Sequence, residues 1–336
     1  MSRRSVLKCG IGLATLAAGS GACTLAPKSS GKLLVYTSIA VDIANQITSA
    51  FATKFPEVQV EKFQIGSEAL IRRIETERRS GGIQADVIMI ADPSYYMVLK
   101  MRGDLAKHES PEAKAVPLAL RDPDGYYAAV RIINMGLVYN TKLLSEEDAP
   151  QNWRDLVDGK WEGQIIMSNP RYSGSTYATV ATLSERYGWE FFKELRRNRV
   201  MVDQSTQGVE RRLAAGEFKA GIGIDYAIRQ GNARGSPLDM VIPNDGAVVL
   251  PSPIGLVKKK DKTNFEAAKT FYDFMLSHDG QEAIVRGFMV PVRPDVRLPE
   301  RMLNAEEILQ KSLPIDWVHL ATSKEEVLRS WRAVME

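Results

Sequence analysis

Hydroxyl side chains crowd the stretch Ser168-Asn169-Pro170-Arg171-Tyr172-Ser173-Gly174-Ser175-Thr176, with a glycine among them where a helix-like segment opens. A helix start presents unpaired N–H groups and the positive end of its dipole, both of which favour an anion. Ser173, Ser175 and Thr176 add hydroxyl donors, and Gly174 lets backbone approach closely. Phosphate or phosphonate oxygens fit such a nest, although plain N-capping accounts for the same residues without a ligand. Arg131 stands in the apolar context Val130-Arg131-Ile132-Ile133, where an unpaired guanidinium is costly. It calls for a carboxylate inside the protein or for a bound anion.

Other polar groups fall just after strand-like runs, where open α/β sheets bind their ligands. These are Thr37-Ser38, Ala91-Asp92-Pro93-Ser94, and Asp225-Tyr226, which closes the run Ala220-Gly221-Ile222-Gly223-Ile224. Asp225 can accept hydrogen bonds from ligand hydroxyls or an amine, or it can cap the helix that follows. No Gly-x-Ser-x-Gly, His-Glu-x-x-His, phosphate-binding Gly-Lys-Ser/Thr loop or dinucleotide glycine fingerprint accompanies them. The histidines His108, His278 and His319 are scattered singly, and both cysteines, Cys9 and Cys23, precede the folded part. Binding without chemistry, cofactor or resident metal is the expectation.

The elements that must hold these groups alternate between strand-like and helix-like patterns. Leu33 to Tyr36 reads as strand, about Val41 to Phe55 as helix, Val58 to Phe63 as strand, Ser67 to Arg79 as helix and Asp86 to Ile90 as a buried strand. A second series follows Arg131, with strands at Met135 to Tyr139, Gln164 to Met167 and Ala220 to Ile224. Helices fall at Tyr177 to Tyr187 and Trp189 to Leu195, and Phe265 to Ser277 and Gly280 to Arg286 are helical near the end. Such alternation predicts two α/β units with mostly parallel sheet, and 336 residues suffice for two cores. The net charge is +3, but Arg3, Arg4 and Lys8 lie in the first eight residues, so the remainder is close to neutral and presents no basic field for nucleic acid.

Ser2-Arg3-Arg4-Ser5-Val6-Leu7-Lys8, the apolar run Cys9 to Ala18 and the small residues Gly19 to Ala22 form a secretory leader over residues 1–22. The arginine pair fits twin-arginine export, with general secretion as the other route. Either takes the protein to the periplasm or the outer face of the cytoplasmic membrane. Cys23 is a candidate for lipidation, which would be the chain's only hold on a membrane, and ordinary cleavage fits the same residues. Residues 23–32 read as a tether.

Taken in order, Val35-Tyr36-Thr37-Ser38, Ala85-Asp86-Val87, Val138-Tyr139-Asn140-Thr141, Trp153-Arg154-Asp155-Leu156, Trp161-Glu162-Gly163, Ser173-Gly174-Ser175, Ala267-Ala268-Lys269 and Ser277 through Gln281 form a set of markers. From about Leu33 to Pro294 the chain resembles the periplasmic solute-binding proteins of the iron, thiamine, phosphonate and sugar-phosphate ABC importers. The resemblance implies a two-lobed type II periplasmic binding protein fold, α/β in class, with two crossover strands and hinge closure. Residues 33–131 with 251–336 would form the first lobe and 132–250 the second. Ser38, Asp92, Ser94, Arg131, Ser173, Gly174, Ser175, Thr176, Ser205, Thr206, Asp225 and Tyr226 would lie at or near the cleft.

The partners implied are a small anionic ligand, a permease and its ATPase, with the protein itself a monomer. Iron-binding members ligate the metal through paired tyrosines and a first-lobe histidine. Here the pair reads Asp225-Tyr226, and Thr37-Ser38-Ile39-Ala40 holds no histidine. That points to a phosphorylated organic ligand, a sugar phosphate or phosphonate, with ferric ion held by Tyr226 and a synergistic anion as one alternative and polyamine or thiamine as another.

Overall fold

The computed structural model describes residues 31–336. The leader, Cys23 and most of the tether lie outside the described residues. The first half runs β1 (Gly31–Thr37), α1 (Val41–Lys54), β2 (Val58–Gln64), α2 (Ser67–Arg79), β3 (Val87–Met89), α3 (Pro93–Met101) and β4 (Leu105–Ala106). A long strand β5 (Tyr127–Asn140) leads to β6 (Ile165–Ser168), α4 (Gly174–Arg197), β7 (Met201–Asp203), α5 (Thr206–Ala214), β8 (Ala220–Ile224), α6 (Asp225–Asn232) and β9 (Leu238–Val241). The chain returns along β10 (Val248–Val257) and ends in α7 (Phe265–Leu276), α8 (His278–Arg286), α9 (Ala305–Gln310) and α10 (Trp317–Met335).

The strands lie in the order β2-β1-β3-β10-β5-β8-β6-β7, with β4 pairing β10 and β9 pairing β5. Each flank is parallel, as strand–helix alternation requires. The middle is antiparallel, because β5 carries the chain across and β10 brings it back. The sheet is therefore mixed where a mostly parallel one was expected. Residues Val248 to Leu250 of β10 pair with β5 beside β8, and its Gly255 and Leu256 pair with β3, so these two strands span both flanks.

The ladder between them breaks between Ser252 and Pro253, where Val130 is left without an opposite residue. Pro251 and Pro253 cannot donate to a ladder, and an irregularity is where a sheet accommodates them. The buried Gln281 of α8 fills the gap. Its Nε2 donates to the Val130 carbonyl at 2.8 Å and to the Met275 carbonyl at 2.7 Å, and its Oε1 accepts from Val292 N–H at 2.7 Å.

Helix α1 buries Ile43, Ala44, Ile47 and Phe51, a one-sided stripe at helical spacing. Phe51 meets Phe271 and Phe274 of α7 with ring centroids 5.0 and 5.3 Å apart, so the C-terminal segment completes the core beneath β1. The two helices expected on either side of Gly188 are continuous in α4 except for a kink at that glycine, whose φ of 73° suits it to the break. Helix α10 packs on both α3 and α4. Its buried Trp331 meets Phe192, and the Tyr177 hydroxyl donates to the Leu320 carbonyl at 2.6 Å.

Candidate functional site

A cleft of about 580 Å³ opens where the loops after β1, β2 and β3 face those after β6, β7 and β8. Three helices begin at its wall. Ser173 caps α4, accepting from Thr176 N–H at 3.3 Å while its hydroxyl lies 3.0 Å from that of Ser175. Ser205 caps α5, accepting from Gly208 N–H at 2.9 Å. Helix α2 starts after Gly66 with no side-chain cap, leaving N–H groups of its first turn free for a ligand. Ser38 joins the loops after β1 and β3 by accepting from Ala91 N–H at 3.0 Å.

Arg131 forms the floor. It projects from β5 at the break in the ladder and is 1% exposed. Its Nε donates to Ser252 Oγ at 3.3 Å, its Nη1 lies 2.8 Å from Met289 Sδ, and its guanidinium carbon is 5.2 Å from the centroid of the Tyr226 ring. No carboxylate lies within ion-pair distance of it among the described residues. Burial pulls its pKa down, opposed chiefly by Tyr226 and Asp225, and a guanidinium starts high enough to stay charged. Burial pushes the Tyr226 phenol upward against the pull of Arg131, so the hydroxyl keeps its proton and is a hydrogen-bond donor. Arg72 adds a second positive charge to the wall, and no aspartate or glutamate among the described residues lines the cleft.

Of the residues singled out in the sequence, Ser38, Arg131, Ser173, Ser175, Ser205, Thr206 and Tyr226 line this one cleft. Gly174 sits where the flanks touch. A Cβ there would stand 2.7 Å from the Ala91 carbonyl oxygen and 3.1 Å from Asp92 Cβ, so glycine is what permits the approach. The others are engaged by the protein. Thr176 is fully buried, its hydroxyl 2.5 Å from that of Ser168. Asp92 caps α3, bonds the Ser94 hydroxyl at 2.5 Å and pairs with Lys324 at 2.9 Å, and Lys324 also reaches Glu68 at 2.8 Å. Asp225 accepts from Asn134 N–H at 3.2 Å and pairs with Arg229 at 2.6 Å.

The sequence reading passed over Gln64, Ser67, Arg72, Tyr172, Gln204 and Gln207, which also line the cleft. Two of these carried a signal, because Gly66-Ser67 after a strand has the form of an uncapped helix start, and Gln204 directly precedes the capping Ser205. The histidines stand elsewhere. His108 is bonded to Asp273 at 2.7 Å, His319 lies near Glu185, and His278 is on the exposed face of α8 beside Asp279 and Glu282, with Asp279 held by Lys54.

Parallel flanks joined by two crossing strands, with a polar cleft between them, make the fold that of a two-lobed periplasmic binding protein. The structure of the periplasmic binding protein AfuA from Actinobacillus pleuropneumoniae, with fructose-6-phosphate bound, superposes with a TM-score of 0.81 over 91% of this chain and 99% of that one, at 26% identity. Iron-bound HitA from Pseudomonas aeruginosa shares the fold, with a TM-score of 0.77 over 90% of this chain and 99% of that one, at 21% identity.

Residues 83–322 match the bacterial extracellular solute-binding protein family, and the chain belongs to it. An uncharacterized Haemophilus influenzae protein is 29% identical over 81% of this chain and 80% of its own. A putative 2-aminoethylphosphonate-binding periplasmic protein of Salmonella typhimurium is 26% identical over 84% of this chain and 85% of its own.

Proposed function

We propose that the chain is the binding component of an ABC importer and captures a small phosphorylated organic anion, a sugar phosphate or phosphonate, between its lobes. The observation that carries this is Arg131, which among the described residues is buried without a carboxylate partner at the floor of a cleft with no acidic lining. A buried cation left unpaired is expensive, and a bound phosphoryl group removes that cost. Its remaining oxygens would take the Ser173 and Ser175 hydroxyls, the Tyr226 hydroxyl and the helix N–H groups of α2, α4 and α5. The names of the Salmonella and Actinobacillus relatives fit this ligand class.

Ferric ion lacks the ligands it needs here, since Asp225 is spent on Arg229, no histidine among the described residues lines the cleft, and Arg131 repels a trivalent cation. The same cleft is unsuited to a polyamine or to thiamine, for want of an acidic lining. Capture proceeds without turnover. The permease and ATPase would meet the outer rims of a monomer whose lobes divide near 131 and 250. Cys23 would tether it if lipidated.

A thermal-shift screen of purified protein against hexose phosphates, glycerol phosphate, alkylphosphonates, thiamine, spermidine and ferric citrate tests the assignment. Stabilisation by phosphoryl compounds alone is expected. A shift with ferric citrate or the amines and none with any phosphoryl compound contradicts it.

A further inference from the structure

The run Lys258-Lys259-Lys260-Asp261-Lys262 follows β10 at the end of the first lobe away from the cleft. Its loop is pinned. Lys259 Nζ donates to the Asp86 carboxylate at 2.6 Å and to the Gln84 carbonyl at 2.5 Å, and Asp261 accepts from the Thr263 N–H at 2.9 Å and hydroxyl at 2.5 Å. Lys258, Lys260 and Lys262 are exposed, and no side-chain hydrogen bond or ion pair engages them among the described residues. Acids around them have cations of their own, Glu109 with Lys107 at 2.8 Å, Glu266 with Lys269 at 2.7 Å and Glu61 with Lys32 at 2.8 Å. Three unpaired ammonium groups thus stand on one fixed loop. Beside it Lys107, Lys258, Lys259 and Lys262, with Tyr126 and Phe265, line a groove of about 460 Å³.

We infer that this lysine loop and its groove are a docking face for the anionic phospholipid surface of the membrane, a hold separate from Cys23. This rests on the protein working outside the cytoplasmic membrane and not on the identity of its ligand. The chain itself leads there. A Cβ at Gly31 would stand 3.4 Å from Asn264 Oδ1 and 3.5 Å from Ala267 Cβ, so the segment carrying Cys23 meets the fold just past the lysines. The eight peptide links from Cys23 to Gly31 reach at most about 26–29 Å. A tether fixed at Cys23 therefore keeps this face close to the headgroups. One acyl chain alone gives marginal binding, and a basic patch is a common second signal. Each lysine at an anionic surface adds about fivefold in affinity, provided that it comes within a screening length of about 8 Å at physiological salt. Ser38 and Ala91 of the cleft follow β1 and β3, whereas Gly31 and Asp86 stand at the other ends of those strands. A protein held by this face leaves the cleft uncovered for capture.

Sedimentation with lipid vesicles tests this, using exported protein that carries Cys23→Ser so that no acyl chain contributes. Vesicles of an equal mixture of phosphatidylglycerol and phosphatidylcholine are expected to bind it at least tenfold more tightly than phosphatidylcholine alone, and added salt to remove the difference. Lys258→Gln, Lys260→Gln and Lys262→Gln combined are expected to abolish the preference with the melting temperature unchanged, and the corresponding three arginine substitutions to keep it. Arg131→Met is expected to bind vesicles as the parent does, because the cleft takes no part. Equal binding to the two vesicle types, binding to neither, a preference that survives the three glutamines, or one lost with the three arginines overturns the docking face. Loss of the preference in Arg131→Met places the headgroup in the cleft, which overturns the face and leaves the phosphoryl assignment standing.

Discussion

Arg131 is buried with no anionic partner among the described residues, and that separates it from an ordinary buried cation. A guanidinium removed from water without an anionic partner destabilises the fold, so its replacement by an apolar chain of similar length relieves a cost. Arg131→Met is expected to leave the melting temperature of the ligand-free protein unchanged or higher. It should weaken phosphoryl ligand binding by about 10- to 100-fold, the range of a lost charged hydrogen bond of about 1.5–3 kcal/mol. Melting curves with and without ligand check both halves. Glu210 makes a second prediction.

Desolvation pushes the Glu210 carboxyl up to about 8, above its unfolded value, so the folded state holds a proton that the unfolded chain has lost at neutral pH. Stability from this group is fully present below the unfolded carboxylate pKa and is lost as pH rises through about 8. The advantage of Glu210→Gln over wild type in melting temperature is therefore expected to grow between pH 5 and pH 8, and a constant difference contradicts it. At this scale the sequence was partly legible. Arg131 announced itself by its apolar neighbours, and the Ser173 nest by its place before a helix. Asp225 misled because Arg229, four residues on along the same helix, takes its carboxylate. Arg72 and Gln64 belong to no pattern, and only folding brings them to the wall.

Helix starts do the work at the next scale, and α4 shows how narrow the tolerance is. Its first residue, Gly174, lies against the Ala91 carbonyl and Asp92 of the opposite flank, and Asp92 is held in turn by Lys324. Burial lowers the Lys324 pKa, but Asp92 and Glu68 together carry it above its ordinary value, so the ammonium stays charged between them. Gly174→Ala is expected to hold the flanks apart by the width of a methyl group and to weaken ligand binding about tenfold, roughly 1.4 kcal/mol. The fold should survive, which circular dichroism and calorimetry can check together.

Helices and flank strands were readable because their apolar periods are clear, and α1, α2 and β8 fall where the pattern put them. β10 was not, since Pro251 and Pro253 interrupt the pattern of a strand. They are tolerated because the ladder breaks beside them and Gln281 satisfies the carbonyl left over.

The whole molecule is held with its lobes together at more than the ligand. Asp42 of α1 accepts from Gln230 of α6 at 2.8 Å and from Arg234, just past that helix, at 3.2 Å, so an exposed polar link spans the two flanks away from the cleft floor. Exposed pairs contribute about 0.2–1 kcal/mol. Asp42→Ala is accordingly expected to speed ligand release by about 1.5- to 5-fold with little change in association rate, as stopped-flow displacement would show. Two lobes and their crossing strands followed from alternation and resemblance, whereas the contacts that bring the lobes together join residues far apart in the chain and left no local mark.

The most direct test of the central claim is a crystal structure of the protein with the phosphoryl compound that stabilises it most. The account predicts phosphoryl oxygens about 2.7–2.9 Å from the Arg131 guanidinium, with Ser173 and Ser175 also donating. A ligand bound away from Arg131, or a metal ion coordinated by Tyr226 in that cleft, would contradict it.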